Sequence, residues 1–138
     1  MSDGEAPALV DGLFRVDGDG LTLLGGHSPS SGLSHFPPQT VCPYTGADDV
    51  QPIDLPRTGM LWQVTEVTAA PPGYDGAVPY GLGIVELDGG LRVVGRVLGS
   101  SPGDIPNGTR MAVVADEVPD GDGTPATIWA FTPSGTGP

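Results

Sequence analysis

Four positions in the N-terminal third of this chain have the spacing of a metal site but not the residues for one. Residues 26–46 read GHSPSSGLSHFPPQTVCPYTG, where Ser28 and Ser31 form one x-x-spaced pair and Cys42 and Thr45 a second. A glycine follows each pair, Gly32 and Gly46, and Phe36, Pro37, Pro38 and Pro43 stand among them. Written with thiols, C-x-x-C-G twice, the pattern is a two-knuckle zinc ribbon, because zinc takes four thiolates or neutral imidazoles in a tetrahedron. Only one of the four thiols, Cys42, is present. Hydroxyls stay protonated near neutral pH and replace thiolates poorly. The expectation is a segment without zinc, its knuckles kept as turns by the Ser and Thr hydroxyls bonding backbone amides.

Other chemistry from these residues is weighed against the same background. His27, His35 and Cys42, joined by Asp48 or Asp49, would be the donors of any salvage metal site, but their spacing fits no ligand pattern and the prolines restrict the chain around an ion. Cys42 as a nucleophile would define a small Cys-dependent acyl-thioester hydrolase or acyltransferase. It lies beside Pro43 with no lysine near and acidic residues following, a setting expected to raise its pKa. The two Asp-Gly-Asp-Gly runs lack the later ligands and terminal Glu of a calcium loop and read as turns.

The elements that position these residues are β-strands. Gly 23 and Pro 16 make up more than a quarter of the 138 residues, yet 38% of the chain is hydrophobic and the β-branched runs are long. That combination implies a packed all-β core with many turns. Net charge is −12 and there is no lysine. Nucleic acid is excluded as a partner, since its binding is built on cations that neutralise phosphates, and anionic membrane surfaces are disfavoured for the same reason. One cysteine rules out an internal disulfide framework. The N-terminus lacks the basic start and apolar run of a signal peptide, so a cytoplasmic protein is expected.

Residues 12–16 and 21–24 flank the first Asp-Gly-Asp-Gly run as a hairpin, with residues 1–7 polar and frayed. Residues 25–57 show little periodicity and read as loop-rich. Residues 59–68 alternate through Trp62 and Val64 and then change phase, the mark of a β-bulge. Residues 80–87 and 91–98 form a hairpin over Asp88-Gly89-Gly90. Strands at 110–118 and 126–131 complete a set of five. A long bent first strand followed by tight hairpins predicts a small closed barrel of the OB-fold type. The division expected is an N-terminal hairpin and ribbon at 1–57, an OB-fold at 58–133 and a tail at 134–138.

With the ribbon outline in front of this barrel, the chain resembles the zinc-ribbon/OB-fold accessory proteins associated with thiolases and other acyl-CoA enzymes. The resemblance covers about residues 26–133. Its most specific part is P-Y-x-x-x-x-V-E-L-D-x-G at 79–90, followed by Arg92 and Gly95. The resemblance implies a non-catalytic accessory subunit of a thiolase-like or other acyl-CoA-processing partner, with acyl-CoA shared between them and no cofactor of its own. A stand-alone OB-fold binding protein is the other alternative. The chain departs from the family in its lost thiols and in a hairpin where a helical leader is usual.

For CoA or partner binding the candidates are Tyr74, Tyr80, Arg92 and Arg96. The tyrosines bracket the Gly- and Pro-rich loop between the first two barrel strands. Arg92 and Arg96 lie four apart on one strand and share its face, where guanidinium groups can fork a phosphate or carboxylate. Arg92 is also placed to pair with Glu86 across the hairpin. The remaining aromatics, Trp62, Trp129 and Phe131, are expected in the core or an interface.

Overall fold

The computed structural model describes residue 8 and residues 12–17, 20–69, 78–99, 101–119 and 124–134. Tyr74, residues 1–7 and the second Asp-Gly-Asp-Gly run fall outside them. Among the described residues the elements are nine strands and one short 3-10 turn, Pro102–Asp104. None of the described helical segments is long and apolar enough to cross a membrane.

Five strands close the predicted barrel: β5 (Thr58–Val67), β6 (Tyr80–Leu87), β7 (Arg92–Val97), β8 (Arg110–Pro119) and β9 (Pro125–Pro133), in the order β5-β6-β7-β9-β8. All neighbours are antiparallel except β7 and β9, which run parallel at Arg96↔Ala130 and Val97↔Phe131. This is OB-fold topology. The barrel is filled by Leu61, Val85, Leu87, Val93, Val97, Met111, Val113 and Phe131. On β6 the inward positions are Gly81, Gly83, Val85 and Leu87, each buried, with a period of two.

The β6–β7 hairpin forms as predicted, with Glu86 opposite Arg92 and positive φ at Gly89 and Gly90. Its turn is fixed from outside by Asp88, which accepts from Thr58 and from both amino groups of Arg110 at 3.0 and 3.3 Å. The bulge is present, but earlier than the phase change suggested. Leu61 pairs with Val85 and Gln63 with Ile84, so Trp62 is the extra residue. Its ring therefore lies outside, 46% exposed, rather than in the core.

The loop-rich reading of residues 25–57 needs correction. β1 (Phe14–Asp17) pairs with β2 (Gly20–Ser28), which runs on through the glycines to Ser28. There it takes β3 (Leu33–His35) on one side and β4 (Gln51–Asp54) on the other. The signal was weak for physical reasons. β3 has three residues, and β4 carries Pro52, tolerated because β4 has only β2 as a neighbour. Gly26 permits the pairing by bringing no Cβ, which would sit 2.5 Å from Nε2 of His35.

The N-terminal sheet is joined to the barrel through apolar contacts. Leu21 and Leu23 of β2, and Leu55 after β4, belong to one buried cluster with the barrel interior. Trp129 of β9 supplies a second seam, meeting Phe14 edge-on at 6.2 Å and Phe36 at 5.4 Å.

Candidate functional site

The structure gathers the four former ligand positions around one buried thiol. Ser28 begins a turn in which its carbonyl accepts from the amide of Gly32 at 2.8 Å. Cys42 repeats it with Gly46 at 2.9 Å. Both glycines have positive φ, 71° and 80°, the conformation that makes glycine the residue of choice here. The hydroxyls close the knuckles, with Ser31 Oγ accepting from the Leu33 amide and Thr45 Oγ1 from the Ala47 amide. Cys42 Sγ lies 3.7 Å from Ser31 Oγ. Ser28, fully buried, donates to Asp49 at 2.6 Å, and Asp49 also accepts from the Ser30 amide at 2.8 Å. Those bonds hold the Asp49 carboxyl below the usual range.

This donor set, one thiol among neutral hydroxyls, does not fit zinc. Among the described residues there is no group of three or more His, Cys, Asp or Glu side chains that could hold a metal ion. His27 bonds Ser34 at 3.0 Å. His35 is buried with neither ring nitrogen hydrogen-bonded, its ring edge-on to Tyr44.

The expected upward shift of the Cys42 pKa is reversed. Burial pushes the thiol up, but hydrogen bonds from Thr45 and Ser28 and from the Tyr44 and Thr45 backbone outweigh it and bring it to about 6. Ser28 has one hydroxyl proton, and in the present geometry it goes to Asp49, so Thr45 and the backbone carry most of this stabilisation. An acid whose folded pKa lies below its unfolded value stabilises the fold above the unfolded value, about 8.5 for a thiol. That contribution is lost as pH falls through about 6. The Tm advantage of the native chain over Cys42→Ser should therefore grow between pH 6 and 8.5. A difference flat with pH in melts of the two proteins would show that the thiol does not ionise in the fold.

The second constellation lies on the outside of β5, β6 and β7, and holds three of the four predicted binding residues. Tyr80, Arg92 and Arg96 share this surface, with the Arg96 guanidinium 4.7 Å from the Tyr80 ring. Arg96 reaches Asp116 at 3.1 Å, in a pair about a quarter exposed. Arg92 bonds Glu86 at 3.2 Å and lies over the Trp62 ring at 3.9 Å. Between them runs a groove of about 230 Å³ lined by Val64, Leu82, Ile84 and Val94 with Gln63 and Thr65. Trp62, Met60 and Val94 are 46%, 46% and 53% exposed.

Sequence reasoning did not assign this apolar strip. Its trace was there, since β6 carries Leu82 and Ile84 on the face opposite its core residues. Apolar residues on both faces of a strand mark a sheet with something to cover on each side.

A closed five-stranded barrel behind a ribbon-like segment whose knuckles are closed by hydroxyl hydrogen bonds defines an OB-fold protein. Residues 52–116 match the family described as "ChsH2, C-terminal OB-fold domain". The chain is 28% identical over 102 residues to a "DUF35 domain-containing scaffold protein" of Methanocaldococcus jannaschii, covering 72% of each. It is 25% identical over 116 residues to a protein of the same description from Pyrococcus furiosus, covering 84% of this chain and 85% of that one. Among solved structures it is similar to a chain of "Ltp2-ChsH2(DUF35) aldolase", with TM-score 0.65 and 24% identity over 82% of this chain and 85% of that one. The family resemblance read from the sequence is thus borne out, and the structural likeness extends the shared fold beyond the barrel.

Proposed function

We propose that this chain is a non-catalytic accessory subunit, a scaffold for a thiolase-like or other acyl-CoA-processing enzyme. The observation that carries the reading is the uncovered apolar face of β5–β7, with Trp62 and Arg92 at its border, on a barrel kin to proteins described as scaffolds. Trp and Arg are enriched where protein interfaces concentrate their binding energy. The likeness to a chain of an aldolase assembly supports an enzyme as the partner. Its substrates would be acyl-CoA thioesters of lipid, steroid or polyketide type, its zinc lost, and its compartment the cytoplasm.

The low pKa of Cys42 is the one observation favouring a thioester-cleaving enzyme instead. Yet the thiol is 1% exposed and, among the described residues, lies among hydroxyls with no base in hydrogen-bond reach, so a thioester carbonyl cannot approach it. Co-expression with a thiolase- or aldolase-type enzyme of the same genome is expected to give a stable complex by size-exclusion chromatography with light scattering. A chain that elutes alone, beside an enzyme fully active without it, would refute the accessory reading.

A further inference from the structure

The outward side chains of a small barrel are ordinarily polar, because one face of an antiparallel sheet packs on the core and the other meets water. On β5–β7 an apolar strip interrupts that pattern. Leu82, Ile84 and Val94 line the groove with Val64 of β5, and Trp62, pushed out by the bulge, stands exposed beside the lining residue Gln63 in the chain. The Arg92 guanidinium lies over the Trp62 ring, 3.9 Å from its centroid, with its Nε bonded to Glu86. Among the described residues its two amino groups have no partner, and the side chain is 49% exposed. A planar guanidinium held on an aromatic ring, its amino edge open, is preorganised for a bidentate carboxylate.

Resting on the accessory reading, we propose that this face is the docking surface for the enzyme partner. The occupant it fits is a segment of that enzyme presenting an apolar side chain to the groove and, next to it, an Asp or Glu to Arg92. Charge complementarity selects it. The protein carries −12 with five arginines, so a carboxylate is received only beside an arginine, and Arg92 shares its strand face with Val94 of the apolar groove. A second copy of this chain is the poorer occupant, since pairing the faces brings two chains of −12 together.

The test uses the full chain and the co-expressed enzyme. Ile84→Asp and Arg92→Glu should each weaken the complex by about tenfold or more, the loss typical of an interface anchor. Arg15→Glu, on the N-terminal sheet, should leave it unchanged. Hydroxyl-radical footprinting of the native complex provides a measurement independent of any variant's folding, and Trp62 and Met60 should be protected from oxidation. A complex that forms with these two residues unprotected and both variants binding normally would overturn the docking face while leaving the accessory role intact. Absence of any complex with the native chain would overturn both. A homodimer of the isolated chain abolished by Ile84→Asp would show the occupant to be a second copy and overturn the assignment to the enzyme.

Discussion

Replacing Ser28, Ser31 and Thr45 together with cysteine is expected to turn this chain into a protein that binds one zinc ion. The argument rests on the backbone, not on the side chains present. Both knuckles keep their i to i+4 amide bonds and positive-φ glycines, and hydroxyls from the three lost positions already cluster about Cys42. A metal entering four thiolates so placed need not order the loops first, so its binding free energy adds to stability rather than being consumed by folding. At ~10 μM free zinc and a Kd of ~1 nM, mass action gives about 5.5 kcal/mol. That corresponds to a rise in Tm on the order of 10 °C or more. Without metal the same variant should melt below the native chain, because Ser28→Cys removes the buried donor to Asp49. Adding Asp49→Asn should tighten zinc further, since a tetrathiolate centre is anionic and the carboxylate beside it is repulsive. Metal analysis and melts with and without chelator check each step. Substoichiometric zinc, or zinc without a change in Tm, would mean that the four positions do not converge as described.

What the sequence revealed and what it hid divide along the range of the interactions involved. The β6–β7 hairpin was readable because its turn and its Glu86–Arg92 pair are local. The N-terminal sheet was not, because β2 takes partners on both sides from strands three and four residues long, chosen by long-range closure. The bulge showed as a lost phase, but Trp62 reads as an inward residue in any apolar pattern, which moved the break downstream. Only the register, Leu61↔Val85 then Gln63↔Ile84, assigns the extra residue. The same blindness hid the groove. Alternation says that Leu82 and Ile84 share a face, while barrel closure decides that it is the outer one. For Cys42 the acidic residues nearby in sequence were visible, whereas the hydroxyls and backbone that bond the thiol were not.

Trp129→Ala is expected to destabilise the chain by about 2–4 kcal/mol, somewhat below the range for a fully buried aromatic because Trp129 is partly exposed. The N-terminal sheet is held to the barrel by packing, and Trp129 provides much of it. Its indole N–H donates to the Val94 carbonyl at 3.0 Å, which lays the ring across Gly95, and the ring then receives Phe14 and Phe36 edge-on. Gly95 is the position that lets this happen. A Cβ there would lie 2.7 Å from both Phe131 and the indole nitrogen, so a side chain must move the core ring or the seam ring. Gly95→Val should accordingly cost about 1–3 kcal/mol or more, and its cost should shrink in the Trp129→Ala background by about 1 kcal/mol, the coupling expected of residues in contact. Chemical denaturation of the two single variants and the double variant measures that coupling. Amide exchange locates it, because loss of the seam should speed exchange in residues 20–28 more than in residues 80–87. Uniform acceleration across both strands, or additivity within about 0.3 kcal/mol, would show that Trp129 serves the barrel alone. The sheet would then be held by Leu21, Leu23 and Leu55, and the aromatic contacts would be incidental to its attachment.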